Sequence, residues 1–256
     1  LAVIMALFTY VLVQRRAVVL KEMMLTKART LALTGAKAME AVLTEAIASG
    51  QFTEAQIFDS DYKPITEGPL AKAAIPKYHT AYDAYLDQRI QKIEDTLVEE
   101  DSMVVFAVLV DKNGYLPVHN SKFSQPLTGD AEKDKNLNRT KRLFNDPVGL
   151  AAGRYDGKDG EKILRQVYKR DTGETMWDIA APVYVKGKHW GGFRIGFSIQ
   201  QTEQAIAELR NSVAIAMLLV LLVASITIYL VVVRLTRPLK DLTAVAERIA
   251  EGQLEE

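Results

Sequence analysis

The longest apolar stretch of the chain lies near its C-terminus. Residues Val213 to Val233 include no charged side chain, and about 20 apolar residues in a helix are enough to cross the hydrocarbon core of a bilayer. A buried core helix is the alternative, but a helix of this length in a soluble protein normally has a polar face. The pattern therefore predicts a transmembrane helix over residues 212–233.

A second apolar stretch opens the chain, from Leu1 to Val13, and ends at Arg15 and Arg16. It is shorter than a full span requires, and the chain begins with Leu, so we expect further residues upstream. A signal peptide is the alternative, yet no small-residue cleavage pattern follows and a helical pattern continues directly. We interpret residues 1–14 as a truncated first transmembrane helix.

Basic residues indicate which side of the membrane each part occupies. Arg234, Arg237 and Lys240 directly follow the second predicted span, so this end is predicted to be cytoplasmic by the positive-inside rule. Residues 15–211 would then form one extracytoplasmic domain. Arg15 and Arg16 count weakly against this orientation.

Helical periodicity dominates the first part of this domain. Apolar and small residues recur at steps of three and four between Ala17 and about Ser49, which predicts one long helix continuous with the first span. A loop rich in proline follows, and a second amphipathic helix is predicted from Tyr78 to Leu97. The residues that define the first helical pattern are Met24, Ala28, Leu31, Gly35, Ala38, Val42 and Ala46.

From Met103 onward the pattern changes to that of strands. Short β-branched and aromatic stretches are separated by turn residues, which predicts five strands joined mainly by hairpins. Long helices followed by such strands predict an α+β domain with a five-stranded antiparallel sheet. The polar, glycine-rich stretch 121–160 is expected to cover a pocket. The predicted strands are Met103–Val110, Tyr115–His119, Ile163–Arg170, Thr175–Val185 and Trp190–Ile199.

Composition excludes several classes of protein. The 32 basic and 32 acidic residues balance, whereas a nucleic-acid surface needs a clustered basic excess. The chain contains no cysteine, which excludes disulfides, thiolate metal sites and covalent c-type haem. Glycine-rich phosphate loops, histidine pairs at metal-ligand spacing and serines in a strand–turn–helix context are also missing from the sequence. We therefore expect no catalytic site and no cofactor.

After the second predicted span, apolar residues continue at steps of three and four from Leu235 to Ile249, which is typical of a parallel coiled-coil-like helix. The segment 234–256 resembles the first helix of a HAMP linker, a parallel four-helix module that follows the membrane in many bacterial receptors. A generic juxtamembrane helix is the alternative. The residues that carry the resemblance are Pro238, Leu242, Glu247, Ile249, Gly252 and Leu254, of which the first four are our candidates for signal relay.

The extracytoplasmic domain resembles a Cache-type, PAS-like sensor domain. Three stretches carry this resemblance, and together they are similar to the periplasmic domains of a group of methyl-accepting chemotaxis proteins. The resemblance implies a homodimer in the bacterial inner membrane that binds a small-molecule ligand and signals to cytoplasmic partners. The stretches are DKNGYLPVHN (Asp111–Asn120), NRTKRLFNDPVGLAAGR (Asn138–Arg154) and QVYKRDTGETMWDIAAPVYVKGKHWGGFRIGF (Gln166–Phe197).

In domains of this class the resemblance implies a ligand between the sheet and the loop that covers it. Asp178 lies in an otherwise apolar strand, so if it is buried it requires a partner such as Arg194, Arg154 or a cationic ligand. An exposed strand face is the alternative for Asp178, and core packing is the alternative for the two tryptophans. The candidate ligand-binding residues are His119, Arg154, Tyr168, Trp177, Asp178, Trp190 and Arg194.

Two further questions stay open. Some related receptors carry a c-type haem on a Cys-x-x-Cys-His motif; here haem could bind only non-covalently, through His79, His119 or His189. The same input module could also belong to a sensor histidine kinase or a diguanylate cyclase instead of a chemoreceptor, and the outer domain could dock a binding protein instead of a small molecule.

Overall fold

The computed structural model describes the backbone of residues 2–169 and 173–250. The chain forms two compact units, of which the larger is Leu20–Gln204. The smaller consists of the start of the first helix and most of the last one. The helices are α1 (Ala2–Ala48), α2 (Glu54–Ile57), α3 (Asp83–Arg89), α4 (Gln91–Glu99), α5 (Ala131–Leu137), α6 (Pro147–Arg154) and α7 (Ile199–Ala250), with 3₁₀ turns at Pro69–Lys72 and Ser121–Phe123.

The larger unit is built on a four-stranded antiparallel sheet of order β3-β8-β7-β6. Two small two-stranded sheets flank it, one pairing β1 with β2 and the other pairing β4 with β5. In β8, a side chain that points to one face of the sheet is followed by one that points to the other. The strands are β1 (Lys63–Pro64), β2 (Tyr78–His79), β3 (Val104–Asp111), β4 (Tyr115–Leu116), β5 (Arg142–Leu143), β6 (Leu164–Lys169), β7 (Thr175–Val185) and β8 (Lys188–Ser198).

One face of the sheet, here called the helix face, packs against α1. The side chains in the middle of this face are apolar, and they form one cluster with the buried small residues of α1. A Cβ atom on Gly35 would lie 2.1 Å from Cε1 of Phe193, so glycine is what lets helix and sheet approach this closely. The helix face consists of Ala107, Leu109, Ile179, Ala181, Phe193, Ile195 and Phe197, and the α1 residues against it are Met24, Ala28, Ala32, Ala36, Met39 and Leu43.

The opposite face, here called the covered face, lies under residues 115–154, the covering segment. Helix α6 packs directly on β8, where a Cβ on Gly192 would lie 2.4 Å from the carbonyl oxygen of Ala152. A second, smaller apolar cluster joins the sheet to this segment.

The covered face carries a buried ion pair in the middle of the sheet, Asp178 with Arg194. On the helix face the buried carboxylate is Asp111, which lies at the end of β3 and accepts hydrogen bonds from the Tyr62 and Tyr82 hydroxyls.

The predicted fold class is confirmed: the domain is α+β, with a long N-terminal helix and an antiparallel sheet. The predicted number of five strands in that sheet was wrong. The stretch predicted as the strand Tyr115–His119 forms only β4, and β4 pairs with β5 in a separate sheet. The other four predicted strands correspond to β3, β6, β7 and β8. Arg170, the last residue of one predicted strand, and Asp171 and Thr172, in the turn predicted after it, lie outside the described residues.

The helix predicted from Tyr78 to Leu97 is two helices. Tyr78 lies in β2, and α3 and α4 meet at Ile90, whose φ of −104° departs from helical geometry. Ile90 and Leu86 are fully buried in the core of the unit. The apolar periodicity in the sequence therefore continues across the break between α3 and α4, because both helices bury their apolar residues in the same core.

The last helix, α7, is one unbroken helix with Pro238 in its interior. Within it, Glu203–Arg248 is long and apolar enough to cross a membrane, with a mean hydropathy of 2.9 in its most apolar stretch. Pro238, Leu242 and Glu247 lie on α7 with exposed side chains, whereas the side chain of Ile249 and residues Gly252 and Leu254 lie outside the described part. The first predicted span, 1–14, is helical from Ala2, but its side chains are described only from residue 7, so it stays a prediction.

Candidate functional site

A small cavity lies between the covered face and the covering segment. Its volume is about 20 Å³, which is enough for one water molecule. Three of the seven side chains that surround it are basic, and two of the others are phenylalanines. The lining consists of Phe106, Val108, Leu116, His119, Arg139, Phe144 and Arg194.

Arg194 enters this cavity from the middle of β8 and is held by Asp178 on the neighbouring strand. The Arg194 Nη2 atom donates to Asp178 Oδ2 at 2.6 Å, and Nε lies 3.3 and 3.2 Å from the two carboxylate oxygens. Both residues are buried, Asp178 completely. Burial raises the pKa of the Asp178 carboxyl, and the guanidinium acts against this rise. The pair therefore fixes the direction in which the planar guanidinium faces the cavity.

His119 and Arg139 come from the covering segment. The His119 ring packs edge-on against Phe106 and Phe123, with centroid distances of 6.2 and 5.0 Å. The backbone N–H of Arg139 donates to the Phe123 carbonyl at 2.7 Å, and its guanidinium lies 5.1 Å from the centre of the Phe144 ring. Strand β8 and the covering segment thus bring two guanidiniums and one imidazole to a single buried cavity.

The structure brings together three of the seven candidate residues named from the sequence: His119, Asp178 and Arg194. Arg154 is exposed at the end of α6. The side chain of Tyr168 lies outside the described residues. Trp177 packs against the helix-side core, and Trp190 is buried in it, where its Nε1 donates to the Ile57 carbonyl at 2.7 Å. Neither tryptophan lines the cavity.

Arg139 is the cavity residue that the sequence argument did not single out. It lies in the motif NRTKR, at residues 138–142, which opens the second of the three stretches that carry the resemblance. A basic cluster in the predicted covering loop was the available signal. The three histidines lie in different surroundings: His79 bonds Asp83, His119 lines the cavity, and His189 packs on Tyr184.

No family model matches the chain, and no curated protein matches it. Several solved structures are similar to it. The E. coli DcuS sensor domain shares 18% identity at a TM-score of 0.31, over 46% of this chain and 72% of that one. The sensor domain of the V. cholerae histidine kinase DctB shares 14% at 0.43, over 76% and 57%.

The sensory domain of the Campylobacter jejuni chemoreceptor Tlp3, with isoleucine bound, shares 12% identity at a TM-score of 0.33. The match covers 75% of this chain and 66% of that one, so this chain spans about two thirds or less of the DctB and Tlp3 structures. The similar structures are thus bacterial sensor domains of both chemoreceptors and histidine kinases.

Proposed function

We propose that this chain is the input part of a bacterial transmembrane receptor and that it senses a small carboxylate. One observation carries the proposal: Arg139, Arg194 and His119 converge on a buried cavity under the covering segment. Guanidinium groups bind carboxylates through paired, charge-assisted hydrogen bonds, and an imidazole N–H adds a further donor. The cavity is small, so the ligand would enter as the covering segment moves outward.

The strand that carries Arg194 is followed directly in the chain by the helix that contains the predicted span. Arg194 lies in the middle of β8, β8 ends four residues later at Ser198, and α7 begins at the next residue, Ile199. A ligand that binds Arg194 better in one arrangement of the receptor shifts the population toward that arrangement. Since α7 also contains the predicted span and the relay residues, a shift of β8 is passed on along one continuous helix.

Within this proposal the receptor is a homodimeric chemoreceptor of the inner membrane, and this part of it has no catalytic role. The alternative is the input module of a sensor histidine kinase or a diguanylate cyclase. A chimera that joins residues 1–256 to the signalling part of a known chemoreceptor tests whether the chain is a chemoreceptor input. Ligand-dependent swimming bias is expected, and it should disappear when a flexible glycine linker is inserted at Asn211. Retained signalling with that linker would contradict transmission through α7.

A thermal-shift screen of the chain in detergent micelles tests the ligand class. The probes are acetate, succinate and citrate, each compared with its uncharged amide at equal ionic strength. We expect at least one carboxylate to raise the melting temperature, because a ligand that binds only the folded state stabilises it by mass action. Equal responses to acids and amides, or a response to neither, would contradict the proposal.

A further inference from the structure

A second, larger cavity lies on the outer side of the covering segment. It is an open groove of about 410 Å³ between α3, the start of α4 and two stretches of the covering segment. Its size is within the usual range for small-molecule sites. The residues that line the groove are Pro69, Leu70, Asp87, Gln91, Val118, Ser124, Gln125, Pro126, Leu127, Asn138, Thr140 and Lys141.

The lining of this groove includes one carboxylate, Asp87, and one cation, Lys141, and Lys141 is shared with a further carboxylate outside the lining, Asp83. Lys141 Nζ lies 2.9 Å from Asp83 Oδ2 and 2.8 Å from Asp87 Oδ2, so one ammonium serves two carboxylates. Asp83 also bonds His79, at 2.7 Å. The side chains of Asp83 and Lys141 are 2% and 7% exposed, whereas that of Asp87 is 43% exposed. Asp87 is therefore the charged group that a ligand in the groove can reach.

The negative charge of Asp87 is only partly balanced, because its ammonium partner, Lys141, also pairs with Asp83. Burial raises the pKa of its carboxyl, and the shared Lys141 only acts against this rise. The rest of the groove offers amide and hydroxyl groups, at Gln91, Gln125 and Thr140, together with leucine, valine and proline side chains. An ammonium group would restore charge balance at Asp87, and a short hydrocarbon chain would cover the apolar wall.

The groove and the small cavity lined by Arg139 and Arg194, here called the inner cavity, lie on opposite sides of the same two stretches of chain. Val118 lines the groove and His119 lines the cavity; Asn138 and Thr140 line the groove and Arg139 lines the cavity. Gln91, in the groove, also donates from Nε2 to the carbonyl oxygen of His119 at 3.2 Å. A molecule in the groove thus contacts the backbone that positions two of the three basic residues of the inner site.

We propose that this groove is a second ligand site, which binds a small organic ammonium compound against Asp87. The site is separate from the inner cavity and does not require that the inner cavity binds a carboxylate. Its occupant contacts the two stretches of chain that separate the groove from the inner cavity, so it also changes the position of His119 and Arg139.

The test is a titration of the whole chain in detergent micelles with n-propylammonium chloride, followed by NMR of ¹⁵N-labelled glutamine and asparagine side chains. The comparison probes are propionamide, which is uncharged, and sodium chloride. We expect saturable shifts confined to Gln91, Gln125 and Asn138, and only with propylammonium. Shifts of the same size with propionamide, shifts spread evenly over all labelled amides, or no saturable shift would overturn the proposal.

Three variants test whether the Asp87 carboxylate is the group that binds the ammonium. Asp87→Asn keeps the shape and should raise the half-saturating concentration at least about tenfold, the loss expected for one charge-assisted hydrogen bond. Asp87→Glu should retain binding. Glu99→Gln removes an exposed carboxylate from the far end of α4 and should leave the titration unchanged. The indole signals of Trp177 and Trp190 report whether each variant is folded. A folded Asp87→Asn variant that binds as tightly as the wild type would contradict the assignment.

Discussion

The two faces of the central sheet have opposite character, although one strand supplies both. On the helix face, β8 contributes Phe193, Ile195 and Phe197, which pack against small residues of α1. On the covered face, the same strand contributes Arg194 between Gly192 and Gly196. The first face is a close-packed apolar core, and the second encloses a cavity and a buried ion pair.

This difference indicates that the helix face stabilises the domain, whereas the covered face is the part that can respond to a ligand. Apolar packing on the helix face is non-directional, and the buried carboxylate at its edge, Asp111, is held by tyrosine hydroxyls and backbone N–H groups at the end of β3. The covered face keeps an Arg–Asp pair that a close-packed apolar core could replace at equal or better stability. Its position beside His119 and Arg139 therefore favours a binding role. The predictions below test this division, beginning with the largest expected effect.

Removing the cation from the covered face should destabilise the domain strongly. Arg194→Met leaves the Asp178 carboxylate fully buried without its partner, which costs about 3–5 kcal/mol. Denaturation of the chain in detergent, followed by the fluorescence of Trp177 and Trp190, measures the effect. The double variant Asp178→Leu/Arg194→Met should recover most of the loss. A double variant as unstable as Arg194→Met would show that the pair itself, and not the orphaned charge, sets stability.

On the helix face, adding one methyl group to a helical glycine should destabilise the domain, although this change usually stabilises a helix. Gly→Ala inside a helix normally stabilises it by about 1 kcal/mol, but at Gly35 the new Cβ would lie 2.1 Å from Cε1 of Phe193. Gly35→Ala should therefore destabilise the domain by about 1–3 kcal/mol, as in other overpacked cores. The same denaturation experiment measures it, and Phe193→Leu in the same chain should relieve part of the loss. A stabilised Gly35→Ala would refute the tight contact.

The covering segment should respond to pH through Lys77. Its Nζ donates to Asn138 O and Oδ1 and to Thr140 O, at 2.8, 2.5 and 2.8 Å. Burial first, and then Arg142 and Arg139, lower the pKa of Lys77 to about 7, whereas the unfolded value is about 10.4.

Between these two pKa values the folded state binds fewer protons than the unfolded state, so this group makes stability rise with pH. From about pH 7 to about pH 9 the wild type should gain about 2 kcal/mol relative to Lys77→Met, since each pH unit between the two pKa values corresponds to about 1.4 kcal/mol and the folded-state lysine is already half deprotonated at about pH 7. Urea denaturation at both pH values measures the difference. Identical pH dependence in the two proteins would contradict a titrating Lys77.

The smallest effect should be confined to binding. His119→Gln removes the imidazole from the cavity but keeps the backbone carbonyl that Gln91 and Ser124 bond. Carboxylate affinity should fall about tenfold, which corresponds to about 1.4 kcal/mol, while the melting temperature without ligand changes little. Calorimetry with the carboxylate that responds in the thermal-shift screen measures the affinity. Unchanged affinity would remove His119 from the site.

Local sequence signals predicted most of the sheet. The strand Thr175–Val185 has the bounds that the alternation indicates, and β3 and β8 differ from prediction by one or two residues. The error concerned β4, because its partner β5 is two residues long, 26 positions further on, and has no strand pattern of its own. Such a pairing depends on the fold of the covering segment, which short-range periodicity does not contain.

The candidate site could be predicted only in part. Asp178 and Arg194 stand out as charges in apolar strands, and both lie on the covered face. Trp177 precedes Asp178, and adjacent residues of a strand face opposite sides, so alternation alone separates it from Asp178. Trp190 follows an irregularity in register between β7 and β8, at Val183 and Tyr184, which places it in the helix-side core. No local sequence pattern indicates that irregularity.

The most direct test of the account compares two arginines in a calorimetric titration with acetate, succinate and citrate. Arg139 lines the cavity, whereas Arg154, also a candidate from the sequence, is exposed at the end of α6. Both are changed to glutamine, so each variant loses one charge from the covering segment. The account predicts that Arg139→Gln weakens carboxylate binding at least about tenfold and that Arg154→Gln binds like the wild type. Equal affinities in the two variants would contradict a carboxylate site under the covering segment.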